Sequence, residues 1–190
     1  MSIRDTFDDH ARVLAASGGV VVQAEGLAAL AVSCLRSGGK IFVCGNGGSA
    51  ADAGHFAGEL VGRFARERRA LPALALGADT PLMTALANDY GYETVFARQI
   101  QALAKAGDLV VVISTSGRSP SVLAAVRAAR EVGCKTAALT GSGGTALAAL
   151  VDVMIVVPCA STPRIQEIHE LCLHAVASEI EMELFPEGQT

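Results

Sequence analysis

The stretch KIFVCGNGGSAADAGHFAGEL, Lys40–Leu60, decides how the rest of the chain is read. It opens on a nearly continuous apolar run, Lys40–Cys44, of the kind that lies in a sheet covered on both faces. Gly45, Gly47 and Gly48 then crowd a turn, and the Ala-rich segment Ser49–Gly62 reads as a helix. Strand, glycine turn and helix form the basic unit of a parallel α/β fold, in which ligands gather at the carboxyl ends of the strands. On that helix His55 and Glu59 stand four residues apart, so they share a face.

The same alternation recurs downstream. Apolar runs at Ala73–Leu76, Leu109–Ser114, Thr136–Thr140 and Val153–Val157 predict four further strands. Helical segments are predicted near Tyr92–Ala106, Pro120–Val132 and Thr145–Leu150. Two helices, broken at the SGG of residues 17–19, precede the first strand, and a long one follows the last. The expected fold class is α/β, a three-layer αβα sandwich around a five-stranded parallel sheet. No linker, repeat or low-complexity segment divides residues 1–190, so they read as one domain. The helical segment of about residues 1–37 is expected to pack on it or on a partner subunit.

Composition narrows the function classes. The 190 residues are 51% hydrophobic and 4% aromatic, with no tryptophan. Mean hydropathy is +0.42, which is apolar enough to suggest surfaces buried between subunits. The formal net charge of −4, without any basic block, argues against nucleic acid or an anionic membrane as partner. The N-terminal MSIRDTFDDHARVL lacks the apolar core of a signal peptide, and no apolar run approaches the ~20 residues of a membrane span. Five cysteines (34, 44, 134, 159 and 172) without a C-x-x-C read as reduced thiols of a cytoplasmic protein.

Three stretches carry chemistry. In ISTSGRSP, Ser119 reads as a helix N-cap, Pro120 as the first helical residue and Gly133 as its stop. Ahead of the cap, Ser114, Thr115 and Ser116 offer hydroxyls and Gly117 lets the backbone come close. This suits an anion such as phosphate, although a well-capped polar turn has the same pattern. Arg118 can add a charge or face water. In the first turn, Gly45-x-Gly47-x-x-Ala50 partly matches a dinucleotide loop. That loop wants an acidic residue about 20 positions on, and Asp79 lies 34 residues after Gly45. Asn46 and Ser49 suit a polyhydroxylated ligand instead. His55 and Glu59 can bind a divalent metal, act as an acid–base pair or form a solvated surface pair.

The last helix, TPRIQEIHELCLH, starts with Thr162 as expected N-cap and Pro163 at the first helical position. It carries Gln166, Glu167, His169, Glu170 and His174. Gln166 and His174 lie about 80° apart around the axis, and His169 lies about 60° to the other side of Gln166. Spacing leaves both histidines open, as ligands or as ordinary helix polar residues.

Together CGNGGSAADAGHFAGEL, ANDYGYE, ISTSGRS and RIQEIHELCLH resemble, in order and spacing, the sedoheptulose 7-phosphate (phosphoheptose) isomerases of the sugar-isomerase, or SIS, superfamily. The similarity spans nearly the whole chain. It implies a five-stranded parallel sheet between helices, and a homotetramer with active sites at subunit contacts. It implies one zinc per subunit at His55, Glu59, Gln166 and His174, choosing His174 over His169, with no nucleotide. Asn46, Gly47, Gly48, Asn88, Asp89, Ser114, Thr115, Ser116, Ser119 and Gln166 are the implied contacts of the sugar phosphate, and the first turn adds Ser49 to them.

Aldose–ketose isomerisation through an enediol needs a base and an acid near the two oxygens. Glu59 is the implied base and His174 the implied acid, Glu59 also contacting substrate. The chain departs from the family at Gly58, where relatives often carry a second acidic residue, and at Arg118, where many have Asn or Lys. Three rivals remain. Non-catalytic SIS proteins that bind the bacterial replication initiator share features of TPRIQEIH and ELFPEG. The members compared lack the glutamate matching Glu59, and this chain keeps it. A nucleotide-dependent oxidoreductase would rest on the partial glycine match alone. An isomerase for another sugar phosphate would share the same machinery.

Overall fold

The structure, a computed structural model, describes residues 2–186; the last two residues of ELFPEG lie outside that range. Five strands form one sheet: β1 (Ile41–Gly45), β2 (Ala73–Ala75), β3 (Leu109–Ser114), β4 (Lys135–Gly141) and β5 (Val153–Val157). All four pairings are parallel, in the spatial order β2-β1-β3-β4-β5. This is the three-layer α/β sandwich expected from the pattern of apolar runs.

Period-two alternation sorts each strand's side chains between two cores. Ile41, Val43, Leu109, Val111, Ile113 and Leu139 face one side. There they meet α1 (Ile3–Ala16), α2 (Val20–Arg36), α3 (Gly48–Val61) and α8 (Thr162–Leu184). Phe42, Cys44, Val110, Val112 and Ala138 face the other. That side is covered by α4 (Thr80–Tyr90), α5 (Val95–Leu103), α6 (Pro120–Val132) and the short α7 (Thr145–Ala148). The central strands β1 and β3 are buried along their whole length, which is why they read as continuous apolar runs.

Several boundaries differ from the sequence reading. Helix α4 has no counterpart among the expected helices. Asp79 caps it, its side chain accepting the Leu82 amide hydrogen at 3.0 Å, and Pro81 sits in its first turn. Only Leu86 of α4 is buried, so the segment lacks the apolar stripe by which a helix is recognised. The helix expected at Tyr92–Ala106 is a 3₁₀ turn, Tyr92–Thr94, leading into α5, and α7 stops at Ala148. The N-cap of α8 is Ser161 rather than Thr162, which places Pro163 in the second position of the helix, still ahead of any intrahelical amide requirement. The five cysteines are free, and all but Cys159 are buried.

Three polar ties fix the helices against one another and against the sheet. Arg164 is buried on α8 and donates to the Thr6 carbonyl at 2.8 Å while pairing with Glu167, which in turn meets His10; this ties α1 to α8. Gln23 on α2 accepts the outward-facing Val156 amide hydrogen of edge strand β5 at 2.7 Å. The buried Glu181 carboxylate accepts from the backbone amides of Phe64, Ala65 and Arg66 at 2.8–2.9 Å and from Arg68 Nε at 3.0 Å. Burial pushes Glu181 up, yet those amides and Arg68 outweigh it and hold the carboxyl below its usual range. Arg68 spends its remaining hydrogens on the carbonyls of Glu59, Leu60, Gly62 and Arg69. The C-terminal end of α3, where Glu59 sits, is thus clamped to α8.

Among the described residues no single helix is long and apolar enough to cross a membrane. Ile3 and Phe7 of α1 and Val21 and Val22 of α2 are exposed, and Val21 also lines a groove of about 210 Å³ between α1, α2 and α8.

Candidate active site

Strand order reverses direction at β1 and β3, since the chain leaves β1 toward β2 and later proceeds from β3 toward β5. At such a switch point the loops after the two strands diverge and leave a crevice. Here those loops are the glycine turn, residues 45–47, and the serine-rich turn, residues 114–119. Between them lies a pocket of about 240 Å³ lined by Asn46, Gly48, Ser49, Ser114, Thr115, Ser116, Ser119, Thr162 and Gln166, with Ile113 at its base.

Local folding prepares that pocket for an anion. Gly47 has φ +58° and carries the chain straight from β1 into α3. Neither α3 nor α6 has a side-chain cap, so their first amide hydrogens remain available to a ligand. Ser119 does occupy the cap position of α6, but its hydroxyl accepts from Asn46 Nδ2 at 3.3 Å instead of closing the helix. Asn46 is held on both sides, donating also to Ser121 at 3.0 Å and accepting from the Tyr92 hydroxyl at 2.8 Å. The amide hydrogen of Gly117 reaches Ser114 Oγ at 3.2 Å, and that of Arg118 reaches Ser116 Oγ at 3.3 Å, curling the turn around the cavity. A Cβ at Gly48 would collide with the Gln166 amide, so the glycine lets α8 close the pocket's third side.

One to two turns further along α8 lies a second group. His55 Nε2 on α3 is 2.8 Å from His174 Nε2, 3.0 Å from Glu170 Oε1 and 3.2 Å from Glu59 Oε1. His174 Nε2 is 3.4 Å from Glu170 Oε1. A ring nitrogen carries at most one proton, so His55 cannot satisfy three lone-pair neighbours with hydrogen bonds. A cation can. Tetrahedral zinc with bonds of about 2.0–2.1 Å sets its ligand atoms about 3.3 Å apart, close to the spacings seen here. The residues therefore fit a divalent metal, and His55, Glu170 and His174 together could hold one. Asp52, one turn before His55 on α3, adds negative charge. Burial and the nearby Glu170 push its carboxyl up to about 6, with His55 pulling the other way.

The SIS domain model matches residues 22–141. A phosphoheptose isomerase of Geobacter sp. (strain M21) is 49% identical over 180 residues, covering 94% of each chain. One from Citrifermentans bemidjiense is 47% identical over 190 residues, covering 100% of this chain and 99% of that one. The solved phosphoheptose isomerase GmhA of Neisseria gonorrhoeae superposes with a TM-score of 0.89 at 43% identity, over 94% of this chain and 96% of that one. The chain belongs to the phosphoheptose isomerase family of SIS-domain proteins. Membership makes it an enzyme, an isomerase of the sugar-phosphate class.

Within this phosphoheptose isomerase family member, the residues expected to act together fall into two groups. Asn46, Gly48, Ser49, Ser114, Thr115, Ser116, Ser119 and Gln166 meet in the pocket, with Gly47 at its edge. His55, Glu59 and His174 meet in the cluster. Asn88 and Asp89 stand apart: both are exposed on α4, bonded to each other at 2.8 Å, and line no part of the pocket. Sequence reading missed Tyr92, Thr162, Asp52 and the role open to Glu170. Glu170 was legible as a helical neighbour of His174 at the same four-residue spacing that drew attention to His55 and Glu59.

Burial separates the two α8 histidines. His169 is fully enclosed beneath β4 and stands outside the cluster. Burial, partly offset by the Thr140 backbone, pushes it down to about 4. Its folded value lies below its unfolded one, so the unfolded chain binds the extra proton between these values. The stability this neutral imidazole confers is complete above pH 6.5 and is lost as pH falls from 6.5 toward 4, to a total of about 3 kcal/mol. Urea unfolding at pH 7 and pH 4.5 checks this. His169→Leu is expected to show a smaller drop between the two than the wild type, and equal drops would refute the assignment.

Proposed function

We propose that the protein interconverts sedoheptulose 7-phosphate and D-glycero-D-manno-heptose 7-phosphate through an enediol. The observation carrying this reading is the placement of an anion pocket and a base-bearing imidazole cluster along one helix. Gln166 at the pocket and His174 at the cluster are eight residues apart, about 12 Å along the axis. An open sugar chain anchored by its phosphate at the serine turn would extend along α8 toward the cluster. The relatives' names support the same substrate class.

In this reading Ser114, Thr115, Ser116 and Ser119, with the open amides of α3 and α6, hold the phosphate. Asn46, Gly47, Gly48, Ser49 and Gln166 bind hydroxyls along the chain. Glu59 takes the proton from the carbon beside the carbonyl and returns it to the neighbouring carbon. His174 turns Nε2 toward the cluster, which leaves Nδ1 as the nitrogen that moves a proton to or from oxygen. When bound, zinc polarises the carbonyl and orients the adjacent hydroxyl. His55 helps to hold it, and Gln166 serves the sugar.

We further assign the protein to a cytoplasmic homotetramer. The exposed apolar residues of α1 and α2 would then be subunit contacts, and Asn88 and Asp89 would reach a neighbouring subunit's substrate.

The deciding experiment is an isomerisation assay against a panel of ketose phosphates, before and after chelation. Turnover of sedoheptulose 7-phosphate is expected, with kcat/KM at least about 10-fold above that for a six-carbon ketose phosphate, and incorporation of solvent deuterium into the product. Chelation should suppress it and zinc restore it. A folded protein without turnover, with or without zinc, would sink the proposal.

A further inference from the structure

Resting on that reading, we propose that Tyr92 is a positioning residue for the phosphate. Its hydroxyl fixes the side-chain amide of Asn46, and that amide holds Ser119 as a hydrogen-bond donor toward the anion.

The contacts form a chain across the carboxyl end of the sheet. The Tyr92 hydroxyl donates to Asn46 Oδ1 at 2.8 Å. Asn46 Nδ2 donates in turn to Ser121 Oγ at 3.0 Å and to Ser119 Oγ at 3.3 Å. Asn46 and Ser119 line the pocket, whereas Tyr92 and Ser121 do not. The turn that presents Tyr92 is pinned just before it. Gly91 takes φ +84°, and its carbonyl accepts from both the amide and the hydroxyl of Thr94, at 3.1 and 3.0 Å. Tyr92 itself is 51% exposed, so its ring adds little to the core, and its hydroxyl is the part that reaches toward the pocket.

For an anion the polarity of this chain decides its value. A side-chain amide has two hydrogens on nitrogen and only lone pairs on oxygen, so two serine hydroxyls and one phenol match it in one sense. A phenol, with a pKa of about 10, is also a stronger donor than a serine hydroxyl, which draws the amide oxygen to Tyr92. Ser119 Oγ then accepts from Asn46, and its own hydrogen is left for the pocket it lines. An ionised phosphate oxygen only accepts, so a hydroxyl held with its hydrogen forward binds it without first being turned. With the amide reversed, Asn46 Oδ1 would claim that hydrogen, and Ser119 would present a lone pair to the anion. Linked hydrogen bonds also polarise one another, so the Tyr92 donor strengthens those that Asn46 gives. The second lone pair of Asn46 Oδ1 stays open to a sugar hydroxyl, as the proposed function requires.

The test separates phosphate binding from chemistry. Wild type, Tyr92→Phe, Ser119→Ala and the double variant are titrated with inorganic phosphate by phosphorus NMR and assayed with sedoheptulose 7-phosphate. Thermal unfolding of each verifies that it folds. Tyr92→Phe keeps the ring and removes one oxygen, and is expected to weaken inorganic phosphate by about 3- to 10-fold, the range of one net hydrogen bond. KM should rise in step while kcat stays within about 2-fold, the signature of lost binding common to ground and transition states. In the Ser119→Ala background the same change should cost less than about 2-fold, because the hydroxyl it orients is gone.

Unchanged phosphate affinity in Tyr92→Phe would overturn the proposal. So would an equal loss on top of Ser119→Ala, which would mean that Tyr92 acts on the pocket without passing through that hydroxyl. A fall in kcat with KM and phosphate affinity unchanged would overturn it too, and would place Tyr92 with the reacting carbons. Variants that rank as expected toward inorganic phosphate, in a protein that turns over no heptose phosphate, would uphold the role of Tyr92 and remove the substrate.

Discussion

Glu59→Gln is expected to lower kcat for sedoheptulose 7-phosphate by about 10²–10⁴-fold while leaving KM nearly unchanged. The range is that of a positioned general base, and corresponds to roughly 3–5 kcal/mol of transition-state stabilisation. Glutamine keeps the volume and the hydrogen-bonding reach of the glutamate, so packing at the end of α3 survives the change. What disappears is the group that can hold the carbon-bound proton between its removal and its return. Exchange of that proton with solvent, followed by NMR in deuterium oxide, should fall in step with kcat. A variant that still exchanges the proton at the wild-type rate would show that another group is the base.

The largest stability effect is expected at Glu181. Glu181→Ala should destabilise the fold by about 3–5 kcal/mol, the cost of breaking one partner out of a buried ion pair. Both side chains of the Arg68–Glu181 pair are nearly inaccessible, at 1% and 2% exposure. Removing the carboxylate strands the Arg68 guanidinium and leaves the amides of Phe64, Ala65 and Arg66 without their acceptor. In a chain of this size the loss corresponds to a Tm lower by roughly 6–20 °C. Because Glu181 is held below the usual carboxylate range, its contribution is present above the unfolded pKa and is lost as pH falls through the folded one. The gap between wild type and variant in urea unfolding should therefore narrow in acid. A gap below about 1 kcal/mol at pH 7, the size of an exposed pair's contribution, would refute the clamp.

The layered fold was legible in the sequence because the central strands are buried on both faces and announce themselves as apolar runs. The anion pocket was legible for a similar reason: turn residues and helix starts are written locally. Helix α4 was not, since one buried leucine leaves no periodic stripe. The unexpected role of Ser119 is a tertiary effect, for Asn46 competes for its hydroxyl from 73 residues away. Glu170 was visible as a helical neighbour of His174, but its approach to His55 depends on how α8 is rotated against α3. Spacing along one helix cannot report that rotation. For the same reason spacing left His169 and His174 equivalent, whereas packing against β4 buries one and frees the other.

The contact between Gln23 and the Val156 amide bears on a different property, the resistance of the protein to fibril-like association. A parallel sheet ends in two open borders, each able to template an added strand from another molecule. At the β5 border, α2 inserts a side-chain carbonyl into the very hydrogen-bonding position an incoming strand would claim. At the β2 border the exposed ladder is only three residues long, Ala73–Ala75. An apolar chain thereby gains a sheet that has little room to grow sideways, one border being plugged and the other too short to seed a partner.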